Sequence, residues 1–179
     1  PGRSGTKGPD EVAKTALYVT NAGSTWDGVS PRMGDEQFQA MLDIHTVAPF
    51  RGISAAAAHM REAAKKDRDA GNEVFRKIVN ISSISGTMGN AGQANYSAAK
   101  NGVVGLTKTV AKEWGQFKIN CNAVAFGFVD TRLTQSKVDD NVMEIDGEKV
   151  QLGMPDQLRS MASMPIPLVP PATPGRADA

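Results

Sequence analysis

Cysteine is nearly absent from this sequence of 179 residues: Cys121 stands alone, which excludes a disulfide framework. It lies in an apolar, strand-like run and reads as a buried thiol in a reducing compartment. Histidine is almost as scarce, with two in the chain, and no metal site is expected. Long hydrophobic runs are missing; the longest run of small apolar residues, Ala55 to Ala58, is far too short for a membrane span. The N-terminus carries no apolar signal core. Charge of one sign is missing too: 20 basic and 19 acidic residues are interspersed and leave a net +1. That balance argues against nucleic acid or an anionic membrane as a partner. The expectation is a protein of the cytosol (cytoplasmic) or of an organelle matrix. What is present, 40% hydrophobic and 22% charged residues, is ordinary globular composition, and the length suggests one domain. The chain opens on Pro1, not methionine, and so reads as processed, trimmed or partial.

Taken in order, residues 1–11 form a Gly-, Pro- and Lys/Arg-rich lead-in without periodicity. Ala16 to Thr20 reads as a strand, stopped by the turn residues Asn21-Ala22-Gly23. Tyr18, inside it, reads as packing. Asp35 is the expected N-cap of a helix carried by Phe38, Met41, Leu42, Ile44, Val47 and Phe50 toward Met60. Pro49 should kink that helix or break it in two. His45 precedes the kink, and a lone helix histidine reads as structural. Arg61 to Arg76 reads as a solvated helix end and loop. Lys118 to Ala125 reads as a further strand, and Pro165 to Ala179, with five of the ten prolines, as a tail. The domain itself is expected over residues 12–164.

The chemistry concentrates between Asn80 and Lys100. Ile78, Val79 and Ile81 form a β-branched run that reads as a buried parallel strand, with Ser83 just past its C-terminal end. In open α/β sheets that end is where ligands bind. A loop with Gly86, Gly89 and Gly92 follows, then a helix from about Ala94 to Trp114 that puts Tyr96 and Lys100 four apart on one face. An ammonium one turn away favours the phenolate and should lower the phenol's pKa from its usual ~10. Tyr96 would then exchange a proton with an alcohol or carbonyl while the Ser83 hydroxyl holds the same oxygen. The Tyr-x-x-x-Lys spacing alone equally suits an ordinary pair on a solvated helix face.

The whole stretch, Asn-Ile-Ser-Ser-Ile-Ser-Gly-Thr-Met-Gly-Asn-Ala-Gly-Gln-Ala-Asn-Tyr-Ser-Ala-Ala-Lys, resembles the short-chain dehydrogenase/reductases. Ser83, a tyrosine thirteen residues on (Tyr96) and a lysine four beyond (Lys100) match that family's pattern. Within it the run is most similar to the 3-oxoacyl-[acyl-carrier-protein] reductases. The similarity extends from about Leu17 to Thr134 and weakly on to Pro174. It implies an α/β fold, a partial Rossmann-like doubly wound parallel sheet with flanking helices. It implies NAD(P)H-dependent reduction of a carbonyl, with a 3-oxoacyl thioester as substrate, on acyl carrier protein, in fatty acid synthesis, and a tetrameric assembly. Tyr96 would be the proton donor, Ser83 the carbonyl holder, and Lys100 the residue that lowers the tyrosine pKa and grips the nicotinamide ribose. Asn21, Ala22 and Gly23 match a segment beside the cofactor, although Thr20 stands where an asparagine is usual. Gly127, Val129 and Thr131 match a Pro-Gly-x-Val-x-Thr segment that holds the nicotinamide, with Phe126 replacing the proline. Each segment also reads as a plain turn. His45 falls where the family has an asparagine whose backbone holds a water leading to the lysine, which makes it a fourth candidate catalytic residue. Asp139 to Ala162 matches substrate-covering helices, and its methionines suit a lid or ordinary core.

The glycine-rich phosphate turn that should open a dinucleotide-binding half does not precede Leu17. The resemblance therefore implies about three of seven strands, a sheet with open edges, and a segment truncated at both ends, with NAD or NADP preference unreadable. The alternative is a non-catalytic subunit or remnant that lends its helices to an oligomer. Val103, Val104, Leu106 and Val110 then serve either as interface or as core.

Overall fold

The structure, a computed structural model, describes residues 17–129, 131, 134, 142–145 and 148–151. The expected lead-in and tail, most of the loop after Val129, and most of the expected covering helices lie outside these residues. Strand β1 (Leu17–Thr20), helix α1 (Asp35–Leu42), a π-turn (Asp43–Val47), helix α2 (Ala48–Asp69) and strand β2 (Arg76–Ser83) come first. Helix α3 (Ile84–Met88), helix α4 (Ala94–Trp114), strand β3 (Ile119–Phe126) and a hairpin of β4 (Val142–Ile145) and β5 (Glu148–Gln151) follow. The first three strands form one parallel sheet in the order β1-β2-β3. Thr20 pairs with Asn80, and Ser83 with Phe126. This is the expected α/β fold with three parallel strands.

Helix α2 and helix α4 cover one face of the sheet. Ile53, Ala56, Met60 and Ala64 of α2 meet Val110 and Trp114 of α4 over Ile78, Ile119 and Cys121. Met60 and Ile78 are 1% and 0% exposed, and burial of each contributes about 1.5–3 kcal/mol. Burial alternates along β2, with Arg76, Ile78, Asn80 and Ser82 inward. The expected wholly buried strand is therefore half-buried. On the other face Leu17, Val19 and Val124 are exposed. Val103 and Val110 are buried and Leu106 packs on the core, so three of the four apolar α4 positions serve the chain's own interior. Tyr18 packs against the same core.

Several boundaries differ from the sequence expectation for local physical reasons. Gly34, not Asp35, caps α1; Asp35 and Glu36 sit in its first turn, where carboxylates suit the helix dipole. The helix expected to be kinked or broken at Pro49 is divided into α1 and α2 by the π-turn. Pro49 occupies the opening turn of α2, where its missing N–H costs nothing, and the wider π-turn ahead of it absorbs the change of register. Arg76 is not in a loop but opens β2, 9% exposed and 2.7 Å from Asp67. The segment after Ser83 is not all loop: Gly86 lies within α3. Val142–Ile145 and Glu148–Gln151 form an antiparallel hairpin where covering helices were expected. Phe126, unlike the proline it replaces, has an N–H, and β3 runs through it to pair with Ser83.

Candidate active site

The three parallel strands end on the same side, which gathers Asn21–Gly23 after β1, Ser83 on β2 and Gly127–Val129 after β3. Ser83 is the last residue of β2 and also the N-cap of α3, its Oγ accepting from the Ser85 N–H at 3.2 Å. One lone pair is thereby engaged and the hydroxyl proton is left to donate. The Ser83 side chain lies close enough to the Tyr96 phenol to favour its ionised form.

Helix α4 carries Tyr96 and Lys100 and is pinned from three directions. The Ser82 hydroxyl donates to the Lys100 carbonyl and the Thr46 hydroxyl to the Ala99 carbonyl, each at 2.8 Å. Gly86 provides the third contact: a Cβ there would lie 2.8 Å from the Lys100 backbone carbon, so only glycine lets α3 approach this closely. Lys100 is 6% exposed, its Nζ donates to the Ile81 carbonyl at 2.8 Å and lies 5.6 Å from the Tyr96 ring centroid.

The electrostatics differ from the expectation that Lys100 depresses the tyrosine. Burial pushes the Tyr96 phenol above its usual value; the nearby Ser83 side chain opposes this and the Asp27 carboxylate adds to the rise. Burial also lowers Lys100 to about 8. Desolvation is the leading influence on the phenol, while the Lys100 ammonium donates to the Ile81 carbonyl. Tyr96 is thus held protonated at neutral pH, the state a proton donor needs.

His45 is buried in the π-turn, with Nε2 2.6 Å from the Ser24 carbonyl and its ring centroid 4.9 Å from that of Tyr96 at 84°. Burial and the neighbouring Lys100 lower its pKa to about 4, so the imidazole is neutral. Asn21, Ala22 and Gly23 are exposed at the mouth, and Thr131 bonds locally: its N–H donates to the Thr134 hydroxyl at 2.9 Å.

Several residues in the site escaped sequence reasoning. Asn95, 0% exposed, donates to the Trp26 and Gln37 carbonyls at 2.9 and 3.0 Å and accepts from the Tyr96 N–H at 2.7 Å. Gln93 donates to both Asp27 oxygens at 3.1 and 3.2 Å, and the Gly28 N–H to the Gly92 carbonyl at 2.8 Å. These bonds clasp the loop after β1 onto the start of α4. Polar residues in a run of small ones were the available signal, but their partners lie 58 to 69 residues away. Among the described residues no group of His, Cys, Asp and Glu could hold a metal ion. Nor is any helix among them long and apolar enough to cross a membrane.

Residues 9–142 match the family described as short chain dehydrogenase. The chain belongs to that family. It is 41% identical over 127 residues to a 3-oxoacyl-[acyl-carrier-protein] reductase of Synechocystis sp., covering 71% of this chain and 47% of the relative. It is 37% identical over 131 residues to the Vibrio cholerae reductase of the same name, covering 73% and 50%. Among solved structures, a short chain dehydrogenase from Mycobacterium avium matches at 31% identity and a TM-score of 0.56, covering 69% of this chain and 44% of that one. A 4-hydroxyisoleucine dehydrogenase complexed with NADH matches at 30% and 0.51, covering 64% and 47%. The chain thus spans about half the length of the curated relatives it matches.

Proposed function

We propose that this protein is an NAD(P)-dependent oxidoreductase that reduces a ketone to an alcohol, with a 3-oxoacyl thioester, carried on acyl carrier protein, as substrate. The observation that carries this reading is the convergence of Ser83, Tyr96 and Lys100 at the C-terminal ends of the strands, with Tyr96 held protonated. The likeness to 3-oxoacyl-[acyl-carrier-protein] reductases supports the substrate class.

The residues fit a nicotinamide cofactor. An ammonium has three donors and Lys100 has spent one on Ile81, which leaves two for the ribose hydroxyls. The exposed turn Asn21-Ala22-Gly23 would hold the cofactor beside β1, and Gly127, Val129 and Thr131 beside β3. When bound, the cofactor supplies the hydride. Ser83 donates its hydroxyl proton in a hydrogen bond to the substrate carbonyl oxygen. Tyr96 transfers its phenolic proton to that oxygen as the C–H bond forms, and solvent returns a proton to the phenolate. Positioned proton transfer of this kind contributes about 10²–10⁴-fold.

Calorimetric titration of the chain with NADPH and then NADH tests the cofactor, and reduction of a 3-oxoacyl thioester tests the reaction. Saturable binding is expected, and turnover in Tyr96→Phe should fall by about 10²-fold or more. A folded chain that binds neither nucleotide overturns the assignment of the cofactor residues, and full turnover in Tyr96→Phe overturns the role of the phenol.

A further inference from the structure

Gly23 and Tyr96 both stand against one imidazole. A Cβ built on Gly23 would fall 2.5 Å from His45 Cε1 and 3.1 Å from its Nδ1, so the ring lies directly against the Gly23 backbone. Its Nε2 is 2.6 Å from the Ser24 carbonyl. A carbonyl only accepts, so Nε2 carries the proton and Nδ1 is left with a bare lone pair. That Nδ1 is buried and has no partner among the described residues, which is a cost for a residue that merely fills core. The same ring meets Tyr96 edge to face. The π-turn that carries His45 is itself held to α4 through Thr46 and Ala99.

We infer that His45 is a positioning residue, a neutral wedge that sets the separation between the Asn21-Ala22-Gly23 turn and the Tyr96 phenol. This rests on the roles given to that turn and to Tyr96 above. The wedge has two complementary halves. Gly23 must lack a side chain because His45 is long, and His45 must be long to reach both the turn and the ring. An asparagine at position 45 would be too short to span them.

The test is a double-mutant cycle on Gly23→Ala and His45→Asn, read in two ways. The first is the ¹³C resonance of the Tyr96 ring in the ligand-free chain, assigned by its loss in Tyr96→Phe. The second is affinity for NADPH and NADH. His45→Asn is expected to shift the Tyr96 resonance, while His45→Phe, which keeps a ring, should leave it closer to its original position. Gly23→Ala should weaken nucleotide binding, and its cost should be about threefold or more smaller in the His45→Asn background. An unmoved Tyr96 resonance in His45→Asn overturns the wedge, as do strictly additive losses in the cycle. If no nucleotide binds even to the unmutated chain, the cofactor reading fails; the ligand-free resonance still decides whether His45 positions Tyr96.

Discussion

Lys100 Nζ donates to the Ile81 carbonyl at 2.8 Å, so the lysine of α4 is anchored on the strand that ends at Ser83. The bond aims one N–H at the strand and frees the other two. Lys100→Met should leave the fold intact and weaken nucleotide binding by about 10- to 100-fold, the scale of charge-assisted hydrogen bonds. Lys100→Arg should not restore it, because a planar fork cannot replace a point charge in that space. Calorimetric titration, with circular dichroism as the control for folding, checks both; unchanged affinity in Lys100→Met would refute the grip on the ribose.

His45 ties stability to pH. Its pKa falls from 6.5 to about 4 on folding, chiefly through burial, so between those values the unfolded chain binds more protons than the folded one. Stability therefore rises with pH across this window; the contribution is complete above 6.5 and is lost as pH falls toward 4. Its full size is about 3 kcal/mol. Urea denaturation at pH 7 and pH 5 should show the loss, and His45→Asn should flatten the difference between the two.

Gly86 admits no side chain against the Lys100 backbone. The nearest atoms are the Lys100 carbonyl carbon and Cβ and the Asn101 nitrogen, all fixed by the α4 backbone, so Gly86→Ala should destabilise by about 1–3 kcal/mol, as overpacking does. It should also displace Lys100 and weaken nucleotide binding. A stability within error of the parent chain would show that α3 moves freely.

Asn80 is 0% exposed and joins three elements: its Oδ1 accepts from Thr20 at 2.8 Å and its Nδ2 donates to Thr107 at 2.9 Å. Asn80→Ala leaves Thr20 and Thr107 without these partners in the interior. A loss of about 2–4 kcal/mol in urea denaturation is expected, from the two lost hydrogen bonds and the small cavity together. Asn80→Leu, which fills the space, should recover only part of it.

Much of the fold was legible because its signals are local. The bounds of α4 follow from apolar spacing over Ala94–Trp114, and β1 and β3 from short apolar runs closed by turn residues. The misreadings came where a local signal had a non-local outcome. Val79 and Ile81 are as β-branched as a buried strand requires, yet only one face of β2 is covered. Asp35 is a good capping residue, but Gly34 had already started the helix.

In the site, sequence alone determined which groups are present and which share an element: a hydroxyl at the end of a strand, and a phenol and an ammonium four apart on a helix. Such relations depend on bond geometry and helical period, which any chain carries in its sequence. Only the tertiary structure decided what those groups do to one another. Burial raised the Tyr96 phenol, Lys100 turned to Ile81, and His45 came to lie against both Gly23 and Tyr96. Desolvation and steric fit depend on every atom that surrounds a group, and those atoms come from segments far apart along the chain.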